Sequence, residues 1–140
     1  MFWDSSALVP IILPAQASTT LVTLVGADAR RTLWWASPVE CQSAVFRLHR
    51  ETPLPAAALD GALRNLRDLV VASDVIPPTI PLRERAVRVL GGHPLRASDA
   101  LQLAAALEWC ENAPGGETFV CLDARLREAT RREGFAVLPA

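Results

Sequence analysis

Short apolar runs alternate along this chain with longer segments in which apolar positions recur every three or four residues. Met1-Phe2-Trp3 is the first short run; it ends at Asp4 and reads as a buried strand. Helical spacing follows from about Ser6 to Leu13 and again from about Ser18 to Gly26. Thr32-Leu33-Trp34-Trp35-Ala36 reads as a second buried strand, with both tryptophans in the core. Ser37-Pro38-Val39-Glu40 then carries the signals of a helix start: serine as N-cap, proline in the first position and glutamate in the third. That helix should run to about Glu51.

Pro53 and Pro55 separate it from a helix on which Leu59, Leu63, Leu66 and Val70 recur. Asp74 to Pro77 is a short candidate strand, and Thr79 caps a helix that ends at Gly91-Gly92. Another helix spans about Ala97 to Glu111, and Pro114-Gly115-Gly116 breaks the chain after it. Thr118 to Leu122 is the clearest buried strand. A helix from about Ala124 to Glu133 stops at Gly134, and Phe135 to Leu138 forms a last short strand.

Short apolar strands alternating with helices predict an α/β fold whose parallel sheet is covered on both faces. The 140 residues suit one domain, residues 1–140. In such sheets the functional crevice lies beyond the carboxyl ends of the strands. Asp4 follows the first strand, Asp123 follows the strand at Thr118 to Leu122, and Glu40 opens the helix after the second strand. Three carboxylates should therefore emerge at one edge of the sheet.

Composition changes this picture little. The chain is 51% hydrophobic and 21% charged, which favours a folded globule over disorder. All 14 basic residues are arginine, and the net charge is −1. A protein that gripped nucleic acid by a broad basic face would be more basic, so such a role needs another source of positive charge. Cys41, Cys110 and Cys121 form no CxxC pair and are odd in number, which points to buried free thiols in a reducing compartment. Ala15-Gln16-Ala17 imitates a signal-peptidase site. However, Asp4 stands where a positive n-region is expected, and Pro10 interrupts the apolar run. No apolar stretch is long enough to span a membrane, so the expected location is the cytoplasm.

Each acid has an ordinary structural use. Asp123 and Asp4 can cap the helices they precede, Glu40 can complete a capping box with Ser37, and Asp99 suits the dipole of its helix start. As a group they mean more. Carboxylates converging on one crevice raise each other's pKa unless a cation sits among them. Oxygen donors without His or Cys suit a hard ion, Mg2+ with Mn2+ as a substitute. Such ions, held with open positions for phosphate oxygens, are the apparatus of phosphodiester hydrolysis. Arg96 and Arg125 flank two of the acids and are candidates for phosphate contact, with solvated helix ends as the plain alternative.

Four blocks carry a resemblance: FWDSSALV at the start, WWASPVECQSAVFRL around Glu40, HPLRASDALQLAAAL around Asp99 and FVCLDARLREATRREGFAVL at the end. In order and spacing they resemble PIN-domain proteins, most closely the VapC-type toxin ribonucleases of type II toxin–antitoxin pairs, over essentially the whole chain. The resemblance implies a PIN-like three-layer α/β/α sandwich with a short, mostly parallel central sheet. It implies a metal site of Asp4, Glu40, Asp99 and Asp123, supported by a hydrogen bond from Ser6, with Ser5 the weaker candidate. Cys121 stands where threonine is common and Gln16 where an acid often occurs; neither is a ligand.

The implied activity is Mg2+-dependent endoribonuclease cleavage by metal-activated water, leaving a 5′-phosphate and a 3′-hydroxyl. Asp4, Asp99 and Asp123 would hold metal, and Glu40 would complete the site as ligand or base. The implied partners are RNA, a homodimer mate and a cognate antitoxin laid over the apolar helices from about Val39 to Val70. The alternatives are a partner-binding PIN-like module and a solitary housekeeping nuclease without an antitoxin. A nuclease for structured DNA is disfavoured, since such enzymes carry extra regions.

Overall fold

The strands are β1 (Phe2–Trp3), β2 (Thr32–Trp34), β3 (Asp74–Ile76), β4 (Thr118–Val120) and β5 (Ala136–Leu138). Helices α1 (Ser5–Ile12), α2 (Thr19–Ala27), α3 (Ser37–Glu51), α4 (Ala56–Val71), α5 (Ile80–Gly92), α6 (Ala97–Trp109) and α7 (Ala124–Glu133) connect them. This computed structural model describes residues 1–13, 16 and 18–140, so Ala15 and Ala17 of the signal-peptidase-like triplet lie outside it. No helix among the described residues is long and apolar enough to cross a membrane.

All strand pairs are parallel, in the order β3-β2-β1-β4-β5. Phe2 sits opposite Thr32 and Phe119, and Trp3 opposite Leu33 and Val120. Successive side chains on a strand point to opposite faces. Phe2, Trp34 and Phe119 therefore pack with Leu82, Leu103 and Leu126 of α5, α6 and α7. Trp3, Leu33 and Val120 pack on the other face with Leu8, Leu21, Val45 and Leu66 of α1 to α4. The result is the expected three-layer α/β/α sandwich around a short parallel sheet.

The strand order also places the crevice. From β1 the chain winds outward to β2 and β3, then crosses back to add β4 and β5 on the other side of β1. The reversal falls between β1 and β4, and in sheets of this kind that switch point opens a cleft at the carboxyl ends. Asp4 leaves β1 there, and its backbone N–H donates to the Val120 carbonyl of β4 at 2.9 Å.

Element boundaries depart from the pattern in two informative places. The β2 ladder ends at Trp34, and the Trp35 N–H makes one more bond to the Ile76 carbonyl before the chain turns. Trp34 is consequently buried while Trp35 is 57% exposed, against the expectation that both fill the core. Ser37 is not the N-cap of α3. Ala36 holds that position without a side-chain cap bond, and the Ser37 hydroxyl is buried and faces α6 instead. Cys41 and Cys121 are buried free thiols, but Cys110 is only half-buried. At the end of α7, Gly134 takes φ +107°, the left-handed conformation that closes a helix without a Cβ penalty.

Candidate active site

Asp4 is 4% exposed. It caps α1, its Oδ2 accepting the Ser6 N–H at 2.9 Å and the Ser6 hydroxyl in a short bond. The Cys121 thiol stands 3.6 Å from the same oxygen. Burial pushes the Asp4 carboxyl up to about 6; the two Ser6 hydrogen bonds oppose the shift and the neighbouring Glu40 charge adds to it.

Glu40 occupies the first turn of α3, but it does not complete a capping box with Ser37. Its Oε2 accepts the Ser5 hydroxyl at 2.7 Å and the Gln102 amide at 2.8 Å. Asp99 in the first turn of α6 does reach back to a backbone N–H, that of Arg96, at a long 3.4 Å. Burial raises its pKa, and the Asp123 charge raises it further. Asp123 caps α7, its Oδ1 accepting the N–H groups of Arg125 and Leu126 at 2.9 Å each. Capping uses Oδ1 and leaves Oδ2 for other work.

All four acids line one cleft of about 580 Å³. Within it the Glu40 charge adds to the upward shift of Asp4, and the Asp123 charge to that of Asp99. Among the described residues no three His, Cys, Asp or Glu side chains stand close enough to enclose an ion by themselves. Paired carboxylates suit Mg2+, which keeps several waters and takes only one or two carboxylates directly, the remainder coming from substrate phosphate. The donor set fits a hard cation in a second way. Burial pushes the Cys41 thiol up to about 12, and burial with the Asp4 charge raises Cys121 too, so neither offers a thiolate.

The Ser6 hydroxyl does more than support Asp4. It accepts the N–H groups of Leu122 at 2.9 Å and Asp123 at 3.3 Å, tying the start of α1 to the β4–α7 turn. Both serines after Asp4 therefore serve the acids, Ser6 holding Asp4 and Ser5 holding Glu40.

Arg96 lines the main cleft, and with Arg125 it lines an adjoining hollow of about 280 Å³ that also contains Asp99 and Asp123. Two residues went unremarked in the sequence. Arg47 lies on the face of α3 that carries Glu40, Ser43 and Ala44, all at helical spacing, and lines the cleft from the far end of that face. Gln102 is buried in α6 and touches Glu40. The sequence signals were an arginine two turns after Glu40 and one polar residue inside Leu101-Gln102-Leu103-Ala104-Ala105-Ala106.

No protein-family model matches this chain, and no curated protein does. Solved structures do match. VapC20 of Mycobacterium tuberculosis, a sarcin–ricin-loop-cleaving toxin, superposes with a TM-score of 0.66 at 19% identity, over 91% of this chain and 93% of that one. PAE2754 from Pyrobaculum aerophilum gives 0.67 at 20% identity, over 98% and 87%. A toxin–antitoxin complex from Klebsiella pneumoniae gives 0.62 at 12% identity, over 89% and 87%. The fold is theirs. It is the PIN-like sandwich that the four sequence blocks imply, and at these identities the likeness concerns architecture.

Proposed function

We propose that this chain is a Mg2+-dependent endoribonuclease, the toxin of a VapBC-like pair, with residues 1–140 acting as one nuclease domain in the cytoplasm. One observation carries the reading: four carboxylates from four separate segments line a single cleft at the β1/β4 switch point. A structural role for each acid does not require their convergence, and convergence without a cation is costly.

Asp4, Asp99 and Asp123 would hold one or two cations, Mg2+ or Mn2+, in part through bound water. When bound, such a cation lowers the pKa of water and polarises phosphoryl oxygen. Glu40, fixed through Oε2, has Oε1 free of protein hydrogen bonds among the described residues and can complete the site as a ligand, or orient the attacking water and take its proton. Arg96 and Arg125, which line the hollow with Asp99 and Asp123, would meet phosphate oxygens there, and Arg47, further along α3 from Glu40, would meet others in the cleft. The arginines offset the acidity that a net charge of −1 gives the whole chain.

RNA as substrate rests on the four sequence blocks and on the structural similarity to VapC20, a toxin that cleaves the sarcin–ricin loop. The direct test incubates the purified protein with RNA in Mg2+ or Mn2+ and analyses the ends. Cleavage that stops on chelation and leaves 5′-phosphate and 3′-hydroxyl supports the reading; a preparation inert under every divalent cation would sink it.

A partner-binding role is favoured by a separate observation. Pro38, Gln42, Leu63, Leu66, Arg67, Val70 and Val71 line an apolar groove of about 500 Å³ between α3 and α4. Val39 is 68% exposed and Val71 82% exposed beside it. An antitoxin segment laid in this groove would reach the acidic cleft over Val39, which lines that cleft. The homodimer belongs to the same reading. Copurification with the product of a short neighbouring gene tests the antitoxin, and the mass of the isolated protein in solution tests the dimer.

A further inference from the structure

Helix α6 is buried almost all round: Ala100, Leu103, Ala104, Ala105 and Ala106 are all fully enclosed. Gln102 lies among them at 1% exposure. Burying an amide is costly unless it is hydrogen-bonded, and a methionine or leucine would fill comparable space without that cost. The Gln102 Nε2 uses both its hydrogens, donating to Glu40 Oε2 at 2.8 Å and to Ser37 Oγ at 3.1 Å. Its Oε1 is buried with no hydrogen-bond partner. The amide is therefore unfavourable on one side and committed to Glu40 on the other. Its orientation follows from chemistry, because a carboxylate only accepts; turning the amide over would set two acceptors against each other.

Glu40 without these contacts would be a flexible side chain on the first turn of α3. Two donors on one oxygen, Ser5 and Gln102, restrict it to one orientation. The donor from α6 has a second consequence. Gln102 stands three residues after Asp99 on the same helix, so one rigid element supplies one acid of the cleft and aims another. The spacing between the Asp4–Glu40 pair and the Asp99–Asp123 pair is thereby tied to α6.

We propose that Gln102 is a positioning residue for Glu40: its buried amide fixes one carboxylate oxygen and so sets how the other meets water or cation in the cleft. The inference rests on the nuclease reading for its effect on rate, but not for its effect on Glu40.

The test compares the parent protein, Gln102→Met, Glu40→Gln and the double variant. Gln102→Met removes the unpaired acceptor but leaves the buried Ser37 hydroxyl without its donor, so the two effects oppose each other and the urea midpoint should stay close to the parent's. The rate constant for RNA cleavage should fall about 10- to 100-fold with KM little changed, as for other residues that orient ligands. In the Glu40→Gln background the same change should cost less than about twofold, because effects that act through one group are not additive. Mn2+ affinity measured by calorimetry should also fall in Gln102→Met, and a crystal structure should show the Glu40 carboxylate displaced.

Unchanged Mn2+ affinity with Glu40 unmoved would overturn the proposal. So would an undiminished rate loss in the Glu40→Gln background. If Gln102→Met fails to fold, Gln102→Leu replaces it; failure of both makes Gln102 a structural residue and also overturns it. Should the parent protein cleave no RNA, the nuclease reading fails by itself, and the calorimetry and crystal structure still decide the role of Gln102.

Discussion

The Ser6 hydroxyl accepts the backbone N–H of Asp123 at 3.3 Å while donating to the carboxylate of Asp4. One small side chain thus spans the two strands between which the sheet reverses, and couples an acid after β1 to an acid after β4. Removing the hydroxyl in Ser6→Ala should cost about 1 kcal/mol of stability, since water can reach the exposed Leu122 and Asp123 amides. Activity should suffer more, by about 10- to 100-fold, because Asp4 loses its orienting donor. Ser6→Thr keeps the hydroxyl and should stay near the parent. Urea unfolding and cleavage rates on the three proteins check this.

Asp4 makes a pH prediction. Its folded pKa of about 6 lies above the ordinary 3.8 of an aspartate, because burial penalises the charge. A carboxyl with a raised folded pKa binds its proton more tightly in the native state. It therefore favours folding at low pH and withdraws that support as pH rises through about 6, by about 3 kcal/mol in total. The stability difference between parent and Asp4→Asn, measured without metal, should grow over that interval in favour of the variant and then level off. Added Mn2+ should stabilise the parent at neutral pH and lose its effect in acid, where the proton competes. A pH-independent difference would remove Asp4 from this role.

The arginines predict a distinct signature. Among the described residues Arg47, Arg96 and Arg125 form no ion pair, which leaves them available for phosphate. Each replaced by alanine should weaken RNA binding and reduce the slope of log affinity against log salt by about one, with little effect on the rate at saturating substrate. Binding isotherms at several salt concentrations report it directly. A parent-like slope would return that arginine to the solvated surface.

Much of the fold was readable because short strands and long helices differ so plainly in apolar period. Every strand and helix occurs where the pattern put it, within a few residues. Asp4 and Asp123 were legible because a parallel sheet turns the end of a strand into an edge position. What local pattern misses is set by contacts across the chain. Trp35 looked like core because it continues an apolar run, yet the ladder ends one residue earlier. Glu40 looked like half of a capping box because Ser37 precedes it by three residues. In the folded chain the Ser37 hydroxyl and the Glu40 carboxylate both turn to Gln102, which lies 62 residues beyond Glu40. Gln102 itself was visible only as a polar residue in an apolar helix, and its partner comes from another element.

Asp99 tests the central claim most directly. Its carboxylate only weakly supports α6, through a 3.4 Å bond to the Arg96 N–H that asparagine can still accept. Asp99→Asn should therefore unfold at the parent's urea midpoint. The measurement is Mg2+-dependent RNA cleavage by parent and variant, side by side, with chelated controls. The parent should cleave, and Asp99→Asn should be slower by more than the ~100-fold expected of residues that only orient a ligand. A folded Asp99→Asn protein that cleaves RNA at the parent rate in Mg2+ would show that the acidic cleft is not the active site.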